Sequence, residues 1–197
     1  MSTHLNRRPP SPEQAGIRVE PVTSENWKMF CRLFEATGSP HYCWCTSYRV
    51  RNASELTGAE KKAFMQSSVE SSVPIGVLAC KGDEPVGWCS VAPRETYVRL
   101  ERSRTMPRVT PAPTATWTIL CFFVARPHRN QHVAPALLEG AVAYARRLGA
   151  EVVEGYPSDT SGVSSTHRGH SRMFRSAGFK LEDKRWFLRL RRNGAEA

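Results

Sequence analysis

Arg129 sits in a short turn, His128-Arg129-Asn130-Gln131-His132, between a wholly apolar run and a segment of helical periodicity. A helix that begins just after such a turn aims several unpaired backbone N–H groups at one point. The positive end of its dipole falls at the same place. Together they make a cradle suited to an anion of phosphate size.

The flanking residues support this layout. Ile119, Cys121 and Phe123 alternate with Leu120, Phe122 and Val124, as in a strand buried on both faces. Pro127 ends that strand, and Pro135 falls in the first helical turn, where no N–H donor is needed. Leu137, Leu138, Ala141, Val142, Ala145 and Leu148 share one helical face. Gly149 stops the helix, and Arg146 and Arg147 complement its negative end. Glu151 to Tyr156 then reads as the next strand, giving strand, turn, helix, strand over 117–156.

His41-Tyr42-Cys43-Trp44-Cys45 raises metal chemistry, since cysteines one residue apart on a strand point the same way. Structural zinc takes four ligands, usually in pairs two to four residues apart, and no second pair answers this one. An aromatic and thiol lining, as core or as one wall of a pocket, fits better. His128 and His132 precede the helix and have no third ligand nearby, so no metal is expected. The six cysteines, at 31, 43, 45, 80, 89 and 121, show no framework spacing and read as reduced thiols.

The remaining elements follow from pattern. Trp27, Phe30, Cys31 and Phe34 give a first helix with one apolar face, capped by Thr23 and Ser24. Thr57-Gly58-Ala59-Glu60 is a capping box opening a second helix to about Glu70, with Phe64, Met65 and Val69 as its apolar residues. Residues 75–80 and 86–91 form a β-hairpin. Residues 94–116 read as a short helix and an exposed Pro/Thr-rich loop.

The 197 residues, 40% hydrophobic, suit one domain from residue 17 to 197 behind a flexible tail of residues 1–16. No apolar stretch is long enough to span a membrane. The first residues lack the apolar core of a secretion signal, which predicts a cytoplasmic location. The net charge of +10 comes largely from late residues such as Arg168, Arg172, Arg175, Lys180, Lys184, Arg185, Arg189, Arg191 and Arg192. They align on no single helix and match no nucleic-acid motif. A solvated basic surface is therefore preferred to nucleic-acid binding.

Residues 129–134 resemble the coenzyme loop of the GNAT superfamily, the Gcn5-related N-acetyltransferases, written Arg/Gln-x-x-Gly-x-Gly/Ala. Met173-Phe174-Arg175-Ser176-Ala177-Gly178-Phe179 resembles that family's Tyr-x-x-x-Gly-Phe segment. The order of two helices, hairpin, then strand–helix–strand is also the family's. The resemblance implies a mixed central sheet flanked by helices in a single α/β domain. It further implies acetyl-CoA as cosubstrate, without a metal. The pantetheine arm would pair with the backbone of Phe122, Phe123 and Val124. The pyrophosphate would lie on the N–H groups of Arg129, Asn130, Gln131, His132, Val133 and Ala134, with the Arg129 side chain adding charge.

Two departures stand out. His132 replaces the first loop glycine, at about 1–2 kcal/mol if its φ must be positive. Either the loop holds an ordinary conformation there or the imidazole itself contacts phosphate. Phe174 stands where the family often has a tyrosine that protonates the thiolate, help worth roughly 10²–10⁴-fold. The implied reaction is direct attack of a primary amine on the thioester, which needs a proton acceptor. Glu154 is the best-placed carboxylate if its strand diverges beside the thioester, the alternative being a solvent-facing or salt-bridged glutamate. Tyr156, Asp159, His167 and His170 lie where the acceptor or the thiolate could be reached, and spacing singles out none of them. Cys121 lies in an apolar run and reads as core. The acceptor is a small-molecule or peptide amine, and a homodimer stays open. The rival function is a catalytically silent acyl-CoA-binding module, with a nucleic-acid-associated protein a distant third.

Overall fold

The computed structural model describes residues 16–111, 114–159, 166–183 and 185–190. Nearly all of the expected tail, with Lys184, Arg191 and Arg192, lies outside them. The strands are β1 (Arg18–Pro21), β2 (Val77–Lys81), β3 (Glu84–Pro93), β4 (Thr116–Val124), β5 (Val152–Gly155), β6 (Lys180–Glu182) and β7 (Arg185–Arg189). They hydrogen-bond in one sheet in the order β1-β2-β3-β4-β5-β7-β6. Only β4 and β5 run parallel, as the connecting helix requires; the other neighbours are antiparallel.

The helices are α1 (Trp27–Glu35), α2 (Gly58–Glu70), α3 (Val133–Arg147) and α4 (Ser171–Ser176). Helix α3 lays Leu137, Leu138, Ala141 and Ala145 on one sheet face, in a core with Ile119, Phe122, Val153 and Phe174. Across the sheet, α1 and α2 bury Phe30, Phe34 and Met65 with Trp44, Leu78 and Trp88. Gly87 sets the height of α3 over β3. A Cβ there would stand 2.9 Å from Val133 Cγ1 and 3.0 Å from the Phe123 carbonyl oxygen. A side chain at 87 would therefore push the start of α3, and the turn before it, away from the sheet.

Several local expectations hold, and some are corrected. Thr57 Oγ1 accepts from Glu60 N–H while the Glu60 carboxylate accepts from Thr57 N–H, a complete capping box. Thr57→Ala is expected to cost about 1 kcal/mol in chemical denaturation. The N-cap position of α1 is Asn26 rather than Thr23 or Ser24, and no side chain caps the helix there: Asn26 Oδ1 accepts from Thr23 N–H and its amide donates to the Pro21 carbonyl, both before the helix. Leu148 falls just beyond α3 and is half exposed, because the chain leaves the helix at Gly149, where φ is +82°. Of the segment expected as a short helix and an exposed loop, Arg94–Thr96 forms a 3-10 helix, and the residues after it are partly drawn into the core. Tyr97, Leu100 and Met106 are buried with Leu120 and Tyr156.

Candidate functional site

The central strand pair separates halfway along β4. β4 pairs with β5 only from Thr116↔Val152 to Ile119↔Gly155. It then continues to Val124 along β3 alone. At the point of separation the β3–β4 register skips Leu120, a bulge that bends and twists the strand. Past it, Phe122, Phe123 and Val124 keep β3 partners on one edge and have no β5 partner on the other. A 3-10 turn, Thr166–Arg168, packs against β4, and Ser158 N–H donates to the Gly169 carbonyl at 2.9 Å. Gly169 fits there for lack of a side chain: its Cβ would lie 3.3 Å from the Phe122 ring and 3.2 Å from that of Phe174.

At the far end of β4 a 3-10 turn, Arg126–His128, leads into residues 129–134. Asn130 has φ +59° and His132 φ +60°. His132 thus adopts the left-handed backbone that glycine serves in the family pattern, and does so as the residue capping α3. Neither the ordinary conformation nor the family glycine is present. A left-handed residue followed by helical Val133 turns successive N–H groups inward, the geometry of an anion nest. Among the described residues, no hydrogen-bond acceptor meets the main-chain N–H of residues 130–134. Side chains brace the turn from behind. Gln131 donates to the Pro127 carbonyl at 2.7 Å and accepts from Lys81 at 2.6 Å. Arg129 Nε donates to the Val124 carbonyl at 3.2 Å, so that strand oxygen is already engaged.

Glu154 lies on β5 as expected, but it has no exposed surface. Its Oε1 pairs with Arg94 Nη1 and accepts from Thr118 Oγ1 at 2.7 Å, and Oε2 accepts from Val109 N–H at 3.1 Å. Arg94 also donates to the Tyr156 hydroxyl at 2.7 Å and to the Leu100 and Met106 carbonyls. This carboxylate anchors the 94–109 segment to the sheet, and that geometry does not suit a base that must exchange protons with a substrate. Tyr156 donates in turn to the Pro107 carbonyl at 3.0 Å, and burial pushes its hydroxyl well above the ordinary phenol range.

Asp159 accepts from Ser171 N–H at 2.9 Å and from the Ser171 hydroxyl, which hold its carboxyl below the usual range. It tethers the start of α4, with His170 Nδ1 3.9 Å away. His167, half-buried in the turn against β4, is pushed below its ordinary 6.5 by burial and by Arg168. It is therefore neutral at pH 7. Phe174 is fully buried, its ring edge-on to Phe122 and Phe179 and filling the space that Gly155 leaves.

The His41–Cys45 segment is a turn, not a strand, and Trp44 joins the aromatic core by stacking on Phe34. Cys121, expected as plain core, is half-buried with its sulfur against that of Cys45. Among the described residues, no group of three or more His, Cys, Asp or Glu gathers as a metal would need. None of the described helices is long and apolar enough to cross a membrane.

A sheet opened beside a central bulge, with unpaired amides leading into the following helix, is the arrangement that the resemblance to the GNAT superfamily implies. The profile of the Acetyltransferase (GNAT) family matches residues 30–170, and the chain belongs to that family. Among solved structures, a GCN5-related N-acetyltransferase from Kribbella flavida is similar at 16% identity with a TM-score of 0.55. That match covers 91% of this chain and 100% of that one. The yncA protein of Salmonella typhimurium, solved with its cofactor acetyl-CoA, is similar at 13% identity and TM-score 0.54, over 91% of this chain and 97% of that one. An N-acetyltransferase from Staphylococcus aureus Mu50 matches at 13% identity and TM-score 0.52, over 89% and 99%. No curated relative matches the chain.

Proposed function

We propose that this chain is an acetyl-CoA-dependent N-acetyltransferase that passes the acetyl group to a primary amine by direct attack. The observation that carries the reading is the unpaired run of main-chain N–H groups at 130–134, at the end of the strand that parts from β5. The pyrophosphate would rest on those amides, and the pantetheine arm would run along Phe122, Phe123 and Val124 beyond the bulge. Release of the Val124 carbonyl by Arg129 would free that guanidinium for the phosphates.

Acetyl-CoA supplies the activated carbonyl, and the chain's own task is to hold the amine against it and accept a proton. His167 is our candidate for that proton, since it is neutral at pH 7 and packed beside β4. His167→Ala should lower kcat roughly 10²–10⁴-fold and leave the affinity for acetyl-CoA unchanged. In the unaltered chain, the basic form of His167 is lost as pH falls through a value below 6.5, so activity should decline only there. The acceptor is a small-molecule or peptide amine, and a cytoplasmic location suits it.

A second reading, a silent acyl-CoA-binding module, is favoured by Phe174, which offers no hydroxyl to the departing thiolate. Following free thiol while the chain meets acetyl-CoA and a panel of amines separates the two. Thiol release with any acceptor supports the enzyme. Binding without release across the panel supports the module.

A further inference from the structure

Two thiols from distant parts of the chain meet on the sheet face opposite α3. Cys45 Sγ lies 3.0 Å from Cys121 Sγ, with the Cys45 thiol donating across a sequence separation of 76. A covalent disulfide spans ~2.05 Å, so closing this one needs a shift of only about 1 Å. Both residues keep partial solvent exposure. Cys121 follows the Leu120 bulge on β4, and Cys45 belongs to the segment joining α1 to α2.

The turn that delivers Cys45 is strained. Trp44 has φ +45° and Cys45 φ +48°, consecutive left-handed positions without a glycine. Trp44 holds them by stacking on Phe34 and Trp27. The aromatic core thus fixes a costly backbone whose visible result is one sulfur against another. Neither thiol has a role in the acyl transfer proposed above.

We propose that Cys45 and Cys121 are a redox-responsive pair, which hydrogen peroxide converts to a disulfide that pins the α1–α2 segment to β4. The Cys121 sulfur gives up its proton to the medium and attacks one peroxide oxygen. The O–O bond breaks, and the departing hydroxide takes up a proton to leave as water. The Cys45 thiol then attacks the sulfenic sulfur, the S–O bond breaks, and a second water leaves. Two thiols and one peroxide give one disulfide and two waters, and a dithiol reductant reverses the change.

The test is peptide mapping of the full chain after hydrogen peroxide and alkylation, with no reductant present. Four of the six cysteines should remain alkylatable. One pair of peptides should be joined through Cys45 and Cys121, two hydrogens lighter than their sum, and dithiothreitol should separate them. Cys45→Ser and Cys121→Ser should each abolish the joined pair, while Cys43→Ser, from the same turn, should leave it in place. A different cysteine pairing, both thiols still free, or irreversible sulfinic acid at either position would overturn the proposal. The readout uses no coenzyme, so its outcome is independent of the acetyl-transfer reading.

Discussion

Replacing Glu154 by alanine is expected to cost about 3–5 kcal/mol of folding stability, because Arg94 is then left buried without its counter-charge. The loss is large because the carboxylate also holds Thr118 and the Val109 amide, so three connections fail together. Urea denaturation of the variant measures it directly. Removing both charges, Glu154→Leu with Arg94→Leu, should recover much of the loss, since the pair repays its own desolvation only while intact. A Glu154→Ala chain that unfolds at the unaltered urea midpoint but has lost acyl transfer would restore the role of base expected from sequence.

His132→Pro is expected to lower the affinity for coenzyme A about 100-fold or more. Proline holds φ near −65°, whereas His132 stands at +60°. The substitution therefore turns the neighbouring amides away from their common point and removes one N–H outright. Two charge-assisted contacts at about 1.5 kcal/mol each account for that factor. Isothermal titration with coenzyme A reads it, with urea denaturation as a control for folding. His132→Gly makes the reverse case: relieving the left-handed strain should leave affinity intact at little cost or gain in stability. Equal binding by the proline variant would mean that the phosphates rest elsewhere.

What the sequence revealed was local, and what it hid was long-range. The inward face of α3 could be read because Leu137, Leu138, Ala141 and Ala145 repeat at the helical period and all reach the sheet. Thr57 and Glu60 announced their cap because both partners lie within four residues. The α1 cap was missed because Thr23, Ser24 and Asn26 are all competent cappers. Asn26 takes the N-cap position while its side chain ties the preceding turn to Thr23 and Pro21 instead of bonding to the helix. Residues 94–116 looked exposed by composition, yet Tyr97, Leu100 and Met106 find their partners in Leu120 and Tyr156.

The same limit governed the site. The phosphate-sized turn was visible as strand, proline, arginine and helix within twenty residues. Its left-handed His132 was raised only by the resemblance, which has glycine at that place, since histidine itself carries no signal of positive φ. The Glu154–Arg94 pair spans 60 positions and the Cys45–Cys121 contact 76, and no periodicity links residues that far apart. A charged residue closing the apolar run of β3 was the one available hint that Arg94 is buried. The parting of β4 from β5 coincides with the end of β5 at Gly155 and with a bulge at Leu120, neither of which pattern alone can place.

A structure of the chain with coenzyme A bound tests the central claim most directly. The account predicts the pyrophosphate within hydrogen-bond reach of the main-chain N–H groups between residues 130 and 134. It also predicts the pantetheine arm beside β4 past Leu120. Coenzyme seated away from that turn, or the turn amides closed onto other protein atoms in the complex, would contradict it.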